Sequence, residues 1–483
     1  MPDRNARLRH ALRYLTARAR FGMKFGLDAM RALVAELGHP ERSYPTLLIA
    51  GTNGKGSVAA YMAEALRASG LRVGLYTSPH LVRVNERIAV DGRPIGDAAL
   101  ASAIERVRAA AGRLVERRVL PAHPTHFEVI TAAAFLHFRR RRVEAAVLEV
   151  GLGGRLDATN VAEPLASAIV SIAFDHEAHL GHTLARIARE KAGVMRRGRP
   201  CVLGPVPAQA RRAIEAAARS LGTRLIRAEA GVRVEASAGA ALGSVAVDDR
   251  RLVGASAALR VVTPANRYDG LRPLPGRHQV TNAIVALRLL EAAREAGLPV
   301  DLARAGAAFS RVRWPGRLQW IPGAPALLLD GAHNPAGARA LAAHLRARAA
   351  ALGPFVLVFG VMADKHVRAL ARLLFPLAQA VVLTRPPLPR ACPPAEIARR
   401  VGRLAAGAQQ RATTAAALAL ARRLAGPAGL IVVAGSLYLV GEVLALEQAR
   451  RKRTPRRAQA AGPRSRKHHG NRGVRSKRSQ RKK

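Results

Sequence analysis

Strand-like, mostly apolar runs occupy 46–50, 73–76, 143–150 and 168–172. Between them lie stretches whose apolar residues recur every three to four positions: 7–37 with a break at 21–27, then 58–66, 97–118, a segment opening at Thr125, and one carrying Arg189-Glu190-Lys191-Ala192-Gly193. A strand without polar alternation is buried on both faces, so the pattern predicts a mostly parallel sheet covered by helices. From 205 to 275 this rhythm lapses, and short runs such as Val245-Ala246-Val247 predict a small antiparallel addition before a strong helix opens at Gly276. The pattern breaks again around Val312-Arg313-Trp314-Pro315-Gly316-Arg317. A second α/β series follows, with strands expected at 326–330, 355–359, 380–383 and 430–433 and a last helix from about Ser436. The organisation expected is a first domain over 1–312, a smaller one over 313–448, and a charged tail over 449–483.

The stretch with most chemical content is Gly51-Thr52-Asn53-Gly54-Lys55-Gly56-Ser57, between the first apolar run and the helix that follows it. Glycines there let backbone N–H groups close round an anion at the positive end of a helix, and Lys55 adds a full charge. The spelling departs from the usual phosphate loop, since Ile49 stands where a first glycine is expected and Gly56 separates Lys55 from Ser57. A glycine-rich turn with a solvent-facing lysine is the plainer alternative. Ser78, Glu149, Asp175 and His176 fall at or just beyond strand ends, where ligands of open α/β sheets gather. A hydroxyl, a carboxylate and an imidazole beside such a loop suit magnesium held with nucleotide phosphates. An Asp-His pair also reads as a structural hydrogen bond, Lys191 as a surface lysine, and Glu128 as an acid favoured at a helix N-terminus.

Composition narrows the class. The 483 residues are 49 % hydrophobic, which is globular, and no run is long enough to span a bilayer. The first residues lack the apolar region of a signal peptide, and Cys201 and Cys392 make neither a metal spacing nor a disulfide framework. A soluble, cytoplasmic protein is expected. The formal charge is +47, but 16 of the 79 Lys and Arg lie from Arg450 onward with no acid among them, leaving +31 on the first 449 residues. Such a field favours anionic ligands and keeps nucleic acid as a rival.

The motifs stand in an order that resembles one family. They are the glycine-rich loop; Thr77-Ser78-Pro79-His80-Leu81; Glu149-Val150-Gly151-Leu152-Gly153-Gly154-Arg155-Leu156-Asp157-Ala158-Thr159-Asn160; Glu190-Lys191-Ala192-Gly193; Asp330-Gly331-Ala332-His333-Asn334-Pro335; and Gly435-Ser436-Leu437-Tyr438. Over roughly 20–448 the chain resembles the folylpolyglutamate synthase/dihydrofolate synthase family, within the superfamily that includes peptidoglycan-precursor ligases. The resemblance implies a P-loop-type ATPase domain followed by a Rossmann-like domain, closing on ATP, a folate and glutamate. It implies that Thr52, Asn53, Gly54, Lys55, Gly56 and Ser57, with Asn282, Arg317 and Asp330, bind ATP. It implies magnesium on Ser78, Glu149 and His176, and Lys191 carbamylated to N6-carboxylysine. By the same resemblance Lys24, Phe25, Gly26, Leu27, Thr125, His126, Phe127, Glu128, Leu156, Asp157 and Ala158 meet the folate, and His333 and Ser436 the glutamate. Lys55, Glu149, His176 and Lys191 would carry the catalysis. The implied reaction joins an ATP-activated carboxylate of dihydropteroate or a tetrahydrofolate to the amine of L-glutamate through an acyl phosphate. In Gly360-Val361-Met362-Ala363-Asp364-Lys365-His366 the family more often ends Asp-Lys-Asp, so His366 is a departure.

Two other readings remain. A peptidoglycan-precursor ligase would carry a further domain before the loop, where only 50 residues stand, and Thr-His-Phe-Glu fits a folate enzyme better. A nucleic-acid-binding protein is supported by charge alone, with 4 % aromatics and no reader motif. The basic tail leaves nonspecific nucleic-acid contact open for that segment. A monomer acting on small molecules is the expectation.

Overall fold

The computed structural model describes residues 4–18, 26–236 and 258–453. Lys24 and Phe25, the 245–247 run and the tail beyond Arg453 lie outside the described residues. The first eight strands are β1 (Thr46–Ala50), β2 (Val73–Tyr76), β3 (Ile88–Val90), β4 (Arg93–Pro94), β5 (Ala145–Glu149), β6 (Pro164–Ile169), β7 (Pro200–Leu203) and β8 (Arg224–Arg227). They form one sheet in the order β4-β3-β2-β5-β1-β6-β7-β8. Strands β2, β5, β1, β6, β7 and β8 run parallel, and β3 and β4 close the far edge antiparallel. β1 and β5 are buried along their whole length, as the apolar runs Leu47–Ala50 and Ala145–Leu148 within them require.

Helices cover both faces of this sheet. Leu48, Tyr76, Phe135 and Ile169 belong to one core, and Leu47, Ile49, Met62 and Ile284 to the other. The helix Lys55–Ala68 follows the glycine-rich loop directly. The helix His126–Arg140 opens on Thr125, whose hydroxyl accepts from the Glu128 N–H while the Glu128 carboxylate accepts from the Thr125 N–H, a reciprocal capping box.

Two expectations need correction. The strand expected at 168–172 lies earlier, at 164–169, and the chain leaves the sheet at Val170. The lapse at 205–275 is only partly an antiparallel addition. Helix Ala208–Leu221 and β8 continue the parallel sheet, but β8 reads Arg-Leu-Ile-Arg with both ends exposed, so it has no continuous apolar run. The antiparallel sheet is there beyond it: β9 (Arg233–Ala236), β10 (Leu259–Val262) and β11 (Arg267–Leu271), in the order β11-β10-β9.

The third sheet comprises β12 (Gln319–Ile321), β13 (Ala326–Leu329), β14 (Phe355–Phe359), β15 (Ala380–Leu383), β16 (Gln409–Gln410) and β17 (Leu430–Ala434). Its order is β12-β13-β17-β14-β15-β16, parallel except for β12. Its last helix, Leu437–Arg453, runs five residues past the expected end at Gln448. The carboxyl ends of β1, β2, β5 and β6 and those of β13, β14 and β17 lead into the same pair of cavities. The loop after β2 docks on the last helix so closely that a Cβ on Gly441 would lie 2.0 Å from the Leu81 carbonyl oxygen. Trp314, in the link between the large sheets, packs on Gly56.

Candidate active site

The turn after β1 is shaped by backbone that only glycine adopts easily. Gly54 has φ +84°, and a Cβ there would lie 2.4 Å from Asn282 Oδ1. The turn is tied to the segment after β6: Thr52 N–H donates to the Ser171 carbonyl at 2.8 Å, and Asn53 N–H to Ser171 Oγ at 2.9 Å. Lys55 Nζ folds back on the carbonyls of Gly51 (3.1 Å) and Thr52 (3.3 Å), so its charge sits over the turn and not in bulk solvent. Ser57 Oγ accepts from Gln279 Nε2, and Gln279 Oε1 from Asn282 Nδ2. Residues 51–57 and Asn282 line one cavity of about 380 Å³, together with Arg317 and Asp330 from beyond the link.

Ser78, Glu149, His176 and Lys191 reach that cavity from four segments. Glu149 Oε2 accepts the Ser78 N–H at 3.0 Å, while Glu149 Oε1 and Ser78 Oγ have no hydrogen-bond partner among the described residues. Burial raises the Glu149 carboxyl above its usual range, opposed by the charge of Lys55 and the Ser78 N–H. His176 adopts φ +52°, uncommon for a residue with a side chain. Burial lowers its imidazole to about 4, so the ring is neutral at pH 7, the form a metal ligand needs. Lys191 is 4 % exposed and donates to the Gly51 carbonyl at 3.0 Å. Burial, reinforced by Lys55, lowers its amine to about 7. Its neighbour Glu190 pairs instead with Arg155 at 2.8 Å.

Asp175 is the hinge of a polar seam between the two large sheets. Although burial pushes its carboxyl up, the His333 and His176 imidazoles and Lys365 hold it far below the usual range. Lys365 Nζ donates to Asp175 Oδ1 at 2.6 Å and Asn334 Nδ2 to Oδ2 at 3.0 Å. Asn334 and Asn53 also exchange amide hydrogen bonds of 2.9 and 3.2 Å across 281 residues of sequence. The seam was not read in the sequence. The only signal was Asn334 before Pro335, which marks a helix N-cap and says nothing of what its amide reaches.

The second cavity, about 300 Å³ and mostly apolar, adjoins the first. Gly26, Thr125, Phe127, Glu128, Leu156, Asp157 and Ala158 line it, with His333 and Ser436. Several polar groups here are committed to the fold. Glu128 Oε2 takes the Thr125 N–H and hydroxyl, and Asp157 takes the N–H groups of Gly151, Leu152 and Thr159. His126 Nδ1 meets the Leu15 carbonyl at 3.2 Å, and Leu27 is buried ahead of the helix Asp28–Glu36. Asp330 likewise accepts from the Leu318 and Ala332 N–H groups at 2.9 Å each, and Ser436 Oγ from the Tyr438 N–H. Sequence reasoning did not single out Arg87 or Arg390, and quoted Met362 and Tyr438 in motifs without giving them a role; all four also line this cavity.

A phosphate-loop sheet facing a second α/β sheet across shared cavities is the arrangement of a Mur-type ligase, and two family models match accordingly. The Mur ligase middle domain matches residues 49–290, and the Mur ligase, glutamate ligase domain matches 316–437. The chain is 36 % identical to a folylpolyglutamate synthase of Lacticaseibacillus casei over 85 % of its own length and 92 % of the relative's. It is 34 % identical to a Bacillus subtilis dihydrofolate synthase/folylpolyglutamate synthase over 78 % and 85 %. Among solved structures, Mycobacterium tuberculosis folylpolyglutamate synthase complexed with ADP superposes with a TM-score of 0.81 at 30 % identity, covering 92 % of this chain and 99 % of that one. E. coli FolC in complex with DHPP and ADP gives 0.78 at 27 %, covering 91 % and 98 %. A Yersinia pestis bifunctional enzyme complexed with AMPPNP and Mn ion gives 0.76 at 28 %, covering 93 % and 100 %. The chain belongs to the folylpolyglutamate synthase/dihydrofolate synthase family of Mur-type ligases.

Proposed function

We propose that this chain is an ATP-dependent ligase that adds L-glutamate to dihydropteroate, giving dihydrofolate, and to tetrahydrofolate, giving its polyglutamates. The observation that carries this reading is the joining of two cavities, one around the glycine-rich loop and one largely apolar, with His176 and His333 lining both. Relatives of the same family bind ADP, DHPP and a manganese nucleotide. Two ligase domains, 1–312 and 313–448, fit the break in core membership between Val312 and Leu318. Among the described residues no helix is long and apolar enough to cross a membrane, in keeping with a cytoplasmic enzyme.

The chain's residues divide the reaction between them. Lys55 and the loop N–H groups neutralise the triphosphate, with Asn282, Arg317 and Asp330 closing the site. The acceptor carboxylate forms a bond to the γ-phosphorus as the bond to ADP breaks. The amine of glutamate then attacks the acyl carbon, phosphate leaves, and the ammonium proton is released. His333 and Ser436 hold the glutamate beside the carboxyl group that Phe127, Leu156 and Ala158 position. Positioning and charge neutralisation carry the rate. Magnesium fits the donor set, because Glu149 Oε1, Ser78 Oγ and a neutral His176 face one space with oxygen and nitrogen atoms free. When bound it supplies positive charge to the phosphates. Lys191 joins that set as N6-carboxylysine: a pKa of about 7 leaves about half of the amine neutral at pH 7, the form that reacts with carbon dioxide.

The test presents the purified chain with ATP, magnesium, glutamate and either dihydropteroate or tetrahydrofolate, and weighs the products. A mass gain of one glutamate on either acceptor, with stoichiometric ADP, is expected. No gain on both would overturn the reading, and a gain on one alone would restrict it.

A further inference from the structure

Three cationic side chains line the apolar cavity: Arg87, Lys365 and Arg390. Two are spoken for. Arg87 Nε donates to His80 Nδ1 at 2.9 Å, and Lys365 Nζ to Asp175 at 2.6 Å. The Arg390 guanidinium has no hydrogen bond or ion pair with any described residue, and it lies over the Tyr438 ring, 5.9 Å from Cζ to centroid. Its backbone, by contrast, is pinned. Ala363 N–H donates to the Arg390 carbonyl at 3.1 Å, Met362 and Ala391 form an antiparallel bridge, and Cys392 N–H donates to the Val361 carbonyl at 2.9 Å. An exposed arginine on a fixed loop, steadied by an aromatic face, presents a ready fork for a carboxylate.

Arg390 also lines an adjoining groove of about 570 Å³, so it stands where cavity and groove meet. The acids of that groove already have cationic or imidazole neighbours: Asp175 and Asp364 face Lys365, and Glu177 pairs with His366 at 2.7 Å. That leaves Arg390 as the fork without an anion. We propose that Arg390 takes a carboxylate of the γ-glutamyl chain carried by the acceptor folate, and that the groove accommodates this chain as it lengthens. The proposal rests on the folate-ligase reading above. Dihydropteroate has only the carboxylate that reacts, whereas a glutamylated folate carries α-carboxylates beside it. A fork at the junction therefore favours glutamylated acceptors over the unglutamylated one.

The experiment compares wild type with Arg390→Gln and Arg390→Lys, using dihydropteroate, tetrahydrofolate and its diglutamate as acceptors. In Arg390→Gln the kcat/KM for the glutamylated acceptors, relative to that for dihydropteroate, is expected to fall about tenfold, the scale of one exposed charge-assisted contact. Arg390→Lys, which keeps the charge and loses the fork, is expected to fall in between. A ratio within twofold of wild type would overturn the proposal. So would an equal rise in the KM for free glutamate with every acceptor, since that assigns Arg390 to the incoming amino acid. Wild type inactive on all three acceptors overturns the folate reading and this proposal with it; an active wild type with an unmoved ratio overturns this proposal alone. Melting temperatures, expected to match because Arg390 is exposed, report folding of each variant.

Discussion

Replacing Lys191 by methionine is expected to stabilise the ligand-free protein while removing its activity. The folded chain holds the Lys191 amine at about 7 against an ordinary 10.5, first through burial and then through the charge of Lys55. Because the folded pKa is the lower one, the unfolded chain binds more protons between pH 7 and 10.5. The penalty is therefore full below pH 7 and fades as pH rises through that window. Linkage puts it at about 4 kcal/mol at pH 7, about 2 at pH 9 and under about 1 at pH 10. Methionine fills a similar volume without the amine. The Gly51 carbonyl that loses Lys191 keeps Lys55 Nζ at 3.1 Å, so no buried acceptor is orphaned. Urea unfolding of both proteins in carbon-dioxide-free buffer at pH 7, 9 and 10 reads the difference directly. The variant is expected to be more stable by one to several kcal/mol at pH 7, on the linkage scale above, with the gain shrinking towards pH 10. Equal or lower stability at pH 7, or a gain independent of pH, would refute the reasoning.

The same amine should carry carbon dioxide in the working enzyme. Wild type with ¹³C-bicarbonate and magnesium nucleotide is expected to show a carbamate carbon resonance that Lys191→Ala lacks, and formate or acetate should restore part of that variant's turnover; neither signal nor rescue would count against carbamylation. Lys55→Ala is expected to lower ATP turnover by about a hundredfold or more with an unchanged fold, since the amine meets only loop carbonyls; turnover within a few-fold of wild type would remove Lys55 from the triphosphate. Glu149→Gln keeps the shape and the Ser78 contact but loses the charge, so activity should fall by orders of magnitude, and full recovery in excess magnesium would make Glu149 a weak ligand. Truncation after Arg453 is expected to leave the ligase rate within about twofold, because a segment so rich in Lys and Arg and so poor in apolar residues cannot build a core.

How far the sequence could be read depended on whether the cause was local. Strands β1 and β5 and the turn after β1 were legible because burial on both faces demands an unbroken apolar run, and a positive φ demands Gly54. Thr125 was legible as a cap because the capping box spans four consecutive residues. β8 was not, because an outer parallel strand with exposed ends can keep arginines. The polar seam was invisible for another reason. Asn53 meets Asn334, and Asp175 meets Lys365 190 residues away, and nothing in either local sequence distinguishes a partnered side chain from a solvated one. The low pKa of Lys191 belongs to the same class: a lysine on an Arg-rich helix reads as exposed until the neighbouring segments close over it.

That seam bears on yield as much as on speed. An acyl phosphate is a mixed anhydride, and water competes with glutamate for it throughout its lifetime. Asn53, Asn334, Asp175 and Lys365 knit the wall built from the first sheet to the wall built from the third. On the ligase reading, loosening that seam is expected to show in the stoichiometry, as more ATP molecules consumed for each amide bond made.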